Sequence, residues 1–258
     1  MVFFRNLIVA FSLYSKIPMP HFVWEKDDMK YNLAFLPLVG AVIAALEYFL
    51  IRFALGHEVP MLATAAIASA TPLLITGGFH VDGFMDTQDA FKSYKEPAEK
   101  LKILEDPHIG AFAVISLLTY SLLWTGALSL ALWKSGNTML IFFGMSFVLS
   151  RIMTGLCSLF LPKARKDGML QNETKSSGKG CIAALVIELV ACLGFLACID
   201  IVLTLIMAAV LLIFTAYYRW KTNKEFGGVT GDTAGYFVVM SELILLVVLA
   251  AYLCLKPW

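Results

Sequence analysis

The chain has 258 residues, of which 59% are hydrophobic and 15% are charged, whereas an average soluble domain has about 25% charged residues. Its formal net charge of +1 provides no overall basic field of the kind that would attract a nucleic acid. The five cysteines are scattered and form no metal-ligand or redox spacing. The composition therefore predicts an all-α, polytopic membrane protein surrounded by lipid, with one transmembrane catalytic domain over residues 1–258.

The N-terminal run is apolar but short for a membrane crossing, and Pro18 and Pro20 follow it. No small-residue cleavage site is present, which argues against a cleaved signal peptide. We therefore expect an interfacial or re-entrant helix, with Arg5 and Lys16 reaching toward phosphates or lipid head groups.

About seven transmembrane helices are predicted after this segment. Asp200 marks a turn within an apolar stretch that is longer than one span needs, and a polar turn at residues 134–137 joins two other spans. Pro72 predicts a kink before the acidic segment. The predicted spans cover about residues 31–55, 61–76, 109–133, 139–161, two helices within 181–218, and 235–255.

The distribution of lysine and arginine predicts the orientation, because short cytoplasmic loops carry an excess of positive charge. With the N-terminus inside, sixteen of the twenty basic residues fall on the cytoplasmic side. Arg52, Lys134 and Lys256 fall on the other side, and Arg151 lies within a span. We therefore expect a multi-pass protein of the inner cell membrane, with its polar, glycine-rich loops and an active site facing the cytoplasm.

An acidic segment at residues 76–110 lies between two apolar runs. Asp82, Asp86 and Asp89 are spaced four and three residues apart, so in a helix their carboxylates share one face. Such a face is either simply solvated or is neutralised by a hard divalent cation that oxygen atoms bind. We favour a metal site. Asp106 could complete the coordination shell or complement the dipole of the next helix.

A glycine-rich turn at residues 226–235 precedes the last span. Glycines allow backbone N–H groups to approach phosphate oxygens, and the N-terminus of a helix favours an anion. Asp232 in this turn is either a further metal ligand or the N-cap of the helix. Together with the acidic segment, the turn predicts a site for a nucleotide diphosphate and magnesium.

Several other ionisable residues have more than one interpretation. Arg151 could pair with the acidic cluster, with a substrate phosphate or with a structural partner, and Glu242 is first expected to pair two helices. Lys163 and Arg165 could bind a ligand or only set the topology. His80 could be a general base, a substrate contact or an ordinary loop residue.

The motifs at these positions resemble the cobalamin-5′-phosphate synthase family, the adenosylcobinamide-GDP ribazoletransferases. The most specific are Gly-Gly-Phe-His-Val-Asp-Gly at 77–83 and Thr-Gly-Asp-Thr at 230–233, in this order and separation. The resemblance extends over nearly the whole chain, through residues 15–20, 35–40, 76–89, 101–106, 109–110, 150–151, 164–168 and 227–233.

The resemblance implies a magnesium-dependent membrane phosphotransferase that acts late in cobalamin synthesis. It would transfer the adenosylcobinamide-phosphate group of adenosylcobinamide-GDP to α-ribazole or its 5′-phosphate and release GMP. The implied catalytic residues are Asp82, Asp86 and Asp89, which with Asp106 and Asp232 would hold Mg²⁺. The implied substrate contacts are Gly77, Gly78, His80, Lys102, Arg151, Arg165, Gly227, Gly228 and Thr230.

The chain departs from the family pattern at three places. Ala90 and Pro107-His108 stand where glycine and Ser-Arg are frequent, and Lys16 stands where arginine is common. Histidine cannot copy the bidentate phosphate clamp of arginine, so these changes concern the contacts with the substrates more than the type of reaction.

Two alternative functions fit the sequence less well. A phosphotransferase that uses a CDP-alcohol also combines membrane helices, aspartates and magnesium, but its pattern has Ala-Arg soon after Asp-Gly, where this chain has Phe84-Met85. A cation transporter would need acids near the middle of the bilayer rather than in loops. The sequence is compatible with a homo-oligomer as well as with a monomer.

Overall fold

A computed structural model describes residues 2–134 and 136–255. Ser135, in the predicted turn, and Lys256, predicted on the outer side, lie outside these residues. The described chain forms eleven α-helices and a 3-10 helix at Lys26–Met29. The α-helices are α1 (Val2–Tyr14), α2 (Asn32–Gly56), α3 (Met61–Thr76), α4 (Phe79–Lys92), α5 (Pro97–Ile103), α6 (Ala111–Trp133), α7 (Asn137–Phe160), α8 (Met169–Ser176), α9 (Lys179–Ala197), α10 (Ile201–Phe226) and α11 (Gly231–Leu255).

Six of these helices are long and apolar enough to cross a membrane, and a seventh candidate is the pair α3 and α4. This confirms the prediction of a polytopic bundle with about seven spans. The axes of α3 and α4 differ by 97° at Gly77 and Gly78, which both have positive φ. The sharp bend therefore lies at the two glycines that follow Pro72, where left-handed backbone is available without steric cost.

The boundaries differ from the predicted ones mainly at the ends of the polar loops. Helix α10 continues to Phe226, and α11 begins at Gly231 rather than near residue 235. The earlier start places Asp232 in the first turn of α11. The predicted turn at Asp200 is confirmed, and the Asp200 carboxylate accepts a hydrogen bond from the backbone N–H of Leu203, as an N-cap does.

The centre of the bundle is α7, which packs against α2 and α11. Its phenylalanines Phe142, Phe143 and Phe147 are fully buried. Helices α6 and α9 lie at the periphery and expose leucine and isoleucine side chains such as Leu122 and Ile187. A helix that is apolar on its outward face is suited to lipid, so this arrangement fits the membrane assignment.

A buried ion pair joins α7 to α11. The guanidinium group of Arg151 donates to Glu242 Oε1 at 2.5 Å and to the carbonyl oxygen of Phe147 at 2.9 Å. The hydroxyl of Ser150 donates to the same carboxylate. An intramembrane charge is costly unless it is paired, and here the guanidinium group of Arg151 is paired with the carboxylate of Glu242. The structural interpretation of Arg151 and the expected pairing role of Glu242 are therefore confirmed.

The polar loops gather at one end of the bundle. Residues from α4, from α8 and the loop before it, and from the loop before α11 line a single cavity. The loops that the charge distribution assigned to one face of the membrane are therefore together in the fold. The connections at residues 57–60 and 198–200 follow helices that run away from this end.

The two ends of the bundle should react with an impermeant label from opposite sides of the membrane. We expect Asn172→Cys, on α8, to react only in inside-out vesicles, and Glu58→Cys, between α2 and α3, only in intact cells. The background should carry serine at Cys198 and Cys254, the exposed native cysteines. Labelling of both positions from the same side would contradict this topology.

Candidate active site at the polar end of the bundle

Helices α4 and α11 touch through glycine. A Cβ atom added to Gly83 would lie 2.8 Å from the carbonyl oxygen of Asp232, and one added to Gly235 would lie 2.8 Å from that of His80. Real Cβ atoms do not approach backbone atoms so closely, so no larger residue fits at either position without a shift. Glycine at these positions lets the acidic helix lie directly against the start of α11.

This contact gathers four carboxylates. Helix α4 carries Asp82, Asp86 and Asp89, as their spacing predicted, and Asp232 approaches from α11. The charges of Asp82, Asp232 and Asp89 all act repulsively on Asp86. Acids from two distant segments therefore lie near one another in the structure, and each additional negative charge makes a nearby cation more favourable.

The donors of this cluster suit a hard divalent cation in chemistry, because all are carboxylate oxygens and none is a soft ligand. The packing of Gly83 on the backbone of Asp232, which places Asp82 and Asp232 in one cavity, is the structural observation that favours a cation there. Among the residues that the structure describes, no three His, Cys, Asp or Glu side chains converge into a ready-made metal site. The side chains would have to close further around an ion.

The N-terminus of α11 is capped by two threonines rather than by Asp232. The backbone N–H of Thr230 donates to Thr233 Oγ1 at 2.8 Å, and the backbone N–H of Thr233 donates to Thr230 Oγ1 at 3.2 Å. This reciprocal pair satisfies donors at the helix start, as a capping box does. The N-cap interpretation of Asp232 was therefore wrong, and its carboxylate is left to line the cavity. Thr230, a predicted substrate contact, has its hydroxyl group engaged in this cap.

The glycine-rich loop before α11 docks on the segment that follows α7. The backbone N–H of Val229 donates to the Pro162 carbonyl at 2.8 Å, and that of Ala164 donates to the Val229 carbonyl at 3.0 Å. A Cβ atom on Gly228 would lie 2.5 Å from the Pro162 oxygen. The pairing brings the basic segment after α7 to the acidic cluster.

The first cavity has a volume of about 200 Å³ and contains charges of both signs. Asp82, Asp167 and Asp232 line it together with Lys163 and Arg165. Positive and negative groups on facing walls suit a ligand that brings both phosphate and a metal ion.

The two cations of the first cavity differ in how they are held. The ammonium group of Lys163 donates to the Leu161 carbonyl, and partial burial lowers the pKa of Lys163. Arg165 donates to the Leu101 carbonyl at 2.6 Å and pairs with Glu105 at 3.2 Å. Arg165 is thus anchored to the end of α5, whereas Lys163 has no ion pair among the described residues and can receive an anion.

A second cavity of about 530 Å³ adjoins the first. Lys16, Gly77 and Gly78 contribute to its wall, and Phe79 and Asp82 line both cavities. Asp82 therefore stands at the boundary between two spaces. The sequence singled out Asp82 by its spacing, but nothing in the sequence indicated that a second space would lie beside it.

Other predicted site residues lie elsewhere. The carboxylate of Asp106 is exposed and accepts hydrogen bonds from the backbone N–H and the ring of His108, which lower the pKa of Asp106. Lys102 is exposed on α5, and Arg151 is taken up by Glu242. None of the three lines either cavity. The structure thus places the carboxylate of Asp106 toward solvent and outside both cavities, whereas Asp82 and Asp232 line the first cavity.

His80 is buried beneath the bend between α3 and α4. Its ring stacks on Tyr14 at a centroid distance of 6.2 Å, and it lines neither of the two cavities.

Tyr14 and Asn32 donate to the buried carboxylate of Glu173 on α8 at 2.8 and 3.0 Å, and burial raises the pKa of Glu173 to about 7. This network fixes α8 against α1 and α2.

Several residues of the first cavity escaped the sequence analysis as site residues. Among them are Phe79, Asp167 and Gln171, and Gln171 belongs to α8. Asp167 lies in a segment that the family resemblance covers, so a signal for it existed. Gln171 lies in an eight-residue polar helix with no distinctive pattern, and only the packing of α8 brings it to the cavity.

The glycine contact between α4 and α11 predicts opposite effects for two helix substitutions. Alanine normally stabilises a helix interior relative to glycine by about 1 kcal/mol. Gly126→Ala on α6 has open space around the new methyl group, so we expect an unchanged or raised melting temperature. Gly83→Ala should lower the melting temperature of the detergent-purified protein, because overpacking costs about 1–3 kcal/mol. Equal behaviour of the two variants would contradict the close contact.

The chain is similar to known proteins over most of its length. A family model described as cobalamin-5-phosphate synthase matches residues 6–250. An adenosylcobinamide-GDP ribazoletransferase from Lachnoclostridium phytofermentans is 37% identical over 247 residues, which cover 95% of this chain and 92% of the relative. Proteins of the same name from Listeria monocytogenes and Clostridium botulinum are 32% and 30% identical, over 94% and 93% of this chain and 96% and 95% of their own.

No solved structure matches the chain significantly. The sequence matches extend from the first helix to the last, and they include both the acidic segment and the glycine-rich loop. The chain belongs to the cobalamin-5-phosphate synthase family.

Proposed function

We propose that this chain is an adenosylcobinamide-GDP ribazoletransferase whose active site is formed by the two adjoining cavities. It transfers the adenosylcobinamide-phosphate group of adenosylcobinamide-GDP to α-ribazole or α-ribazole 5′-phosphate. The products are adenosylcobalamin or its 5′-phosphate, and GMP. The observation that carries the assignment of the site is that Asp82 lines both cavities, since a transfer between two substrates needs a place where they meet.

The reaction exchanges a phosphoanhydride bond for a phosphate ester bond. A hydroxyl oxygen of the ribazole forms a bond to the phosphorus attached to cobinamide, and the bond from that phosphorus to the oxygen of GMP breaks. The hydroxyl proton passes to a carboxylate, and negative charge develops on the leaving oxygen of GMP. Asp82 is the carboxylate that faces both substrates, so we assign the proton to it.

The first cavity would bind the diphosphate of adenosylcobinamide-GDP. Lys163 and Arg165 supply two positive charges on one wall, and the backbone of Gly227 and Gly228 shapes the neighbouring loop. Arginine binds phosphate oxygens in a bidentate manner, while lysine acts as a point charge. The partly buried position of Lys163 strengthens its interaction with a phosphate, because less water competes for the ammonium group.

Magnesium would be held by Asp82, Asp86 and Asp232, with Asp89 beside Asp86. Asp89 lies against Gly110, where a Cβ atom would come within 1.8 Å of its carboxylate, so glycine at this position leaves room for the Asp89 side chain. When bound, Mg²⁺ supplies positive charge that stabilises the phosphoryl oxygens during transfer. The carboxylates of the chain supply the oxygen ligands. Lys163 and Arg165 line the same cavity as Asp82 and Asp232.

The gathering of these acids at one end of the bundle favours the transferase over a cation transporter, which would need acids along a path through the membrane. The excess of lysine and arginine at this end supports an inner-membrane protein with its active site toward the cytoplasm. Soluble nucleotide substrates would then reach the site from the compartment that makes them.

Asp82 and Asp106 form a matched pair of aspartates for testing the site. We expect Asp82→Asn to lower kcat for ribazole-dependent release of GMP by roughly 100- to 10,000-fold, because it removes a carboxylate without removing volume. Asp106→Asn should stay within about twofold of the unsubstituted protein, because this carboxylate lies outside both cavities. The assay uses purified protein in lipid vesicles with adenosylcobinamide-GDP, α-ribazole and Mg²⁺.

The same assay contains its own controls. Chelation of the divalent metal should stop GMP release, and added Mg²⁺ should restore it. Both variants should retain the melting temperature of the unsubstituted protein within a few degrees. Full activity of Asp82→Asn, or GMP release that does not depend on ribazole, would contradict the proposed function.

A further inference from the structure

The second cavity lies between the end of α1 and the bend that joins α3 to α4. It is larger than the first cavity, at about 530 Å³, and it contains one cationic side chain, Lys16. Its lining contains polar residues, such as Ser12 and Lys16, and apolar residues, such as Leu13 and Met85. A ligand that carries both an anionic group and an apolar part therefore suits it.

Lys16 is held in place over the bend. Its backbone N–H donates to the Ile75 carbonyl at 2.7 Å. Its side chain crosses Gly77 so closely that a Cβ atom there would lie 2.4–3.0 Å from the Lys16 methylene carbons, and Gly77 has a φ of +65°. Glycine at this position thus serves both the bend and the passage of the lysine side chain.

The ammonium group of Lys16 is available for a ligand. Lys16 is exposed, and no ion pair or hydrogen bond engages its ammonium group among the residues that the structure describes. A lysine whose stem is packed and whose charge is unpaired gives up less conformational freedom when it binds an anion than a fully mobile one does.

The aromatic side chain of Phe79 also lines the second cavity. Phe79 is 40% exposed and lines both cavities. An exposed aromatic ring beside a cationic group suits a nucleoside monophosphate, whose flat base can stack while its phosphate pairs with the cation.

The charges distinguish the two cavities. The first contains Lys163 and Arg165 beside the acidic cluster, which suits a diphosphate with its metal ion. The second contains only Lys16 as a cation, which suits a single phosphate. Asp82 lies at their boundary, where a hydroxyl of the second ligand would approach the phosphorus of the first.

We propose that the second cavity is the acceptor site, with Lys16 binding the 5′-phosphate of α-ribazole 5′-phosphate and Phe79 contacting its aromatic base. This inference rests on the proposed function and adds the residue that distinguishes a phosphorylated acceptor from an unphosphorylated one. Lys16 stands outside the reacting atoms, so it determines specificity and takes no part in the transfer itself.

The test compares two acceptors in the same protein. For Lys16→Gln, kcat/KM should fall by roughly 10- to 100-fold with α-ribazole 5′-phosphate, because a charge-assisted hydrogen bond is lost. It should change by less than about twofold with α-ribazole. Lys16→Arg should keep most of the preference, since it keeps the charge. Lys95→Gln, an exposed lysine outside both cavities, controls for the change in net charge and should leave both values unaltered.

The outcomes distinguish a failure of this inference from a failure of the proposed function. An equal loss with both acceptors, or no loss with either, would refute the role of Lys16 while leaving the transferase intact. Absence of ribazole-dependent GMP release from the unsubstituted protein with both acceptors would instead refute the proposed function. The ratio of the two kcat/KM values is unaffected by the fraction of correctly folded protein, so a partly misfolded variant still gives a result.

Discussion

The contact between α4 and α11 is the constraint on which the rest of the site depends. Glycine at positions 83 and 235 lets the two backbones meet, and this meeting brings Asp232 to the acidic face of α4. Four carboxylates so gathered repel one another, which destabilises the fold unless a counter-charge is near. The basic segment after α7 supplies positive charge nearby, and the proposed metal ion would supply more.

Parts of the chain that are distant in sequence have separate structural roles around this contact. The glycine-rich loop docks on residues 162–164 and thereby fixes Lys163 and Arg165 opposite the acids. The buried carboxylate of Glu173 fixes α8, which closes the first cavity. The ion pair of Arg151 with Glu242 holds α7 to α11 deeper in the bundle. An ion pair thus holds two helices together within the bundle. In the proposed function, charged groups of both signs bind the ligands at its polar end.

The helices and the acidic face could be predicted from the sequence because both are local patterns. Runs of apolar residues give the spans, and the spacing of Asp82, Asp86 and Asp89 gives one helix face. The partner of Arg151 depends on packing between segments far apart in the chain. The bonds of Asp106 to His108 and of Thr230 to Thr233 are local, but aspartate and threonine can both cap a helix, so the residue types alone do not decide which one does. The cavity beside Lys16 depends on the 97° bend, whose angle no residue pattern specifies.

Binding of Mn²⁺, as a spectroscopic substitute for Mg²⁺, tests the central claim that α4 and α11 contribute to one metal site. Titration followed by electron paramagnetic resonance would compare the unsubstituted protein with Asp86→Asn, Asp232→Asn and the double variant. Each single substitution should weaken binding, and their effects should be non-additive by at least about 0.5 kcal/mol, because the two carboxylates share one ion. Unchanged affinity in either single variant, or strictly additive losses, would contradict the account.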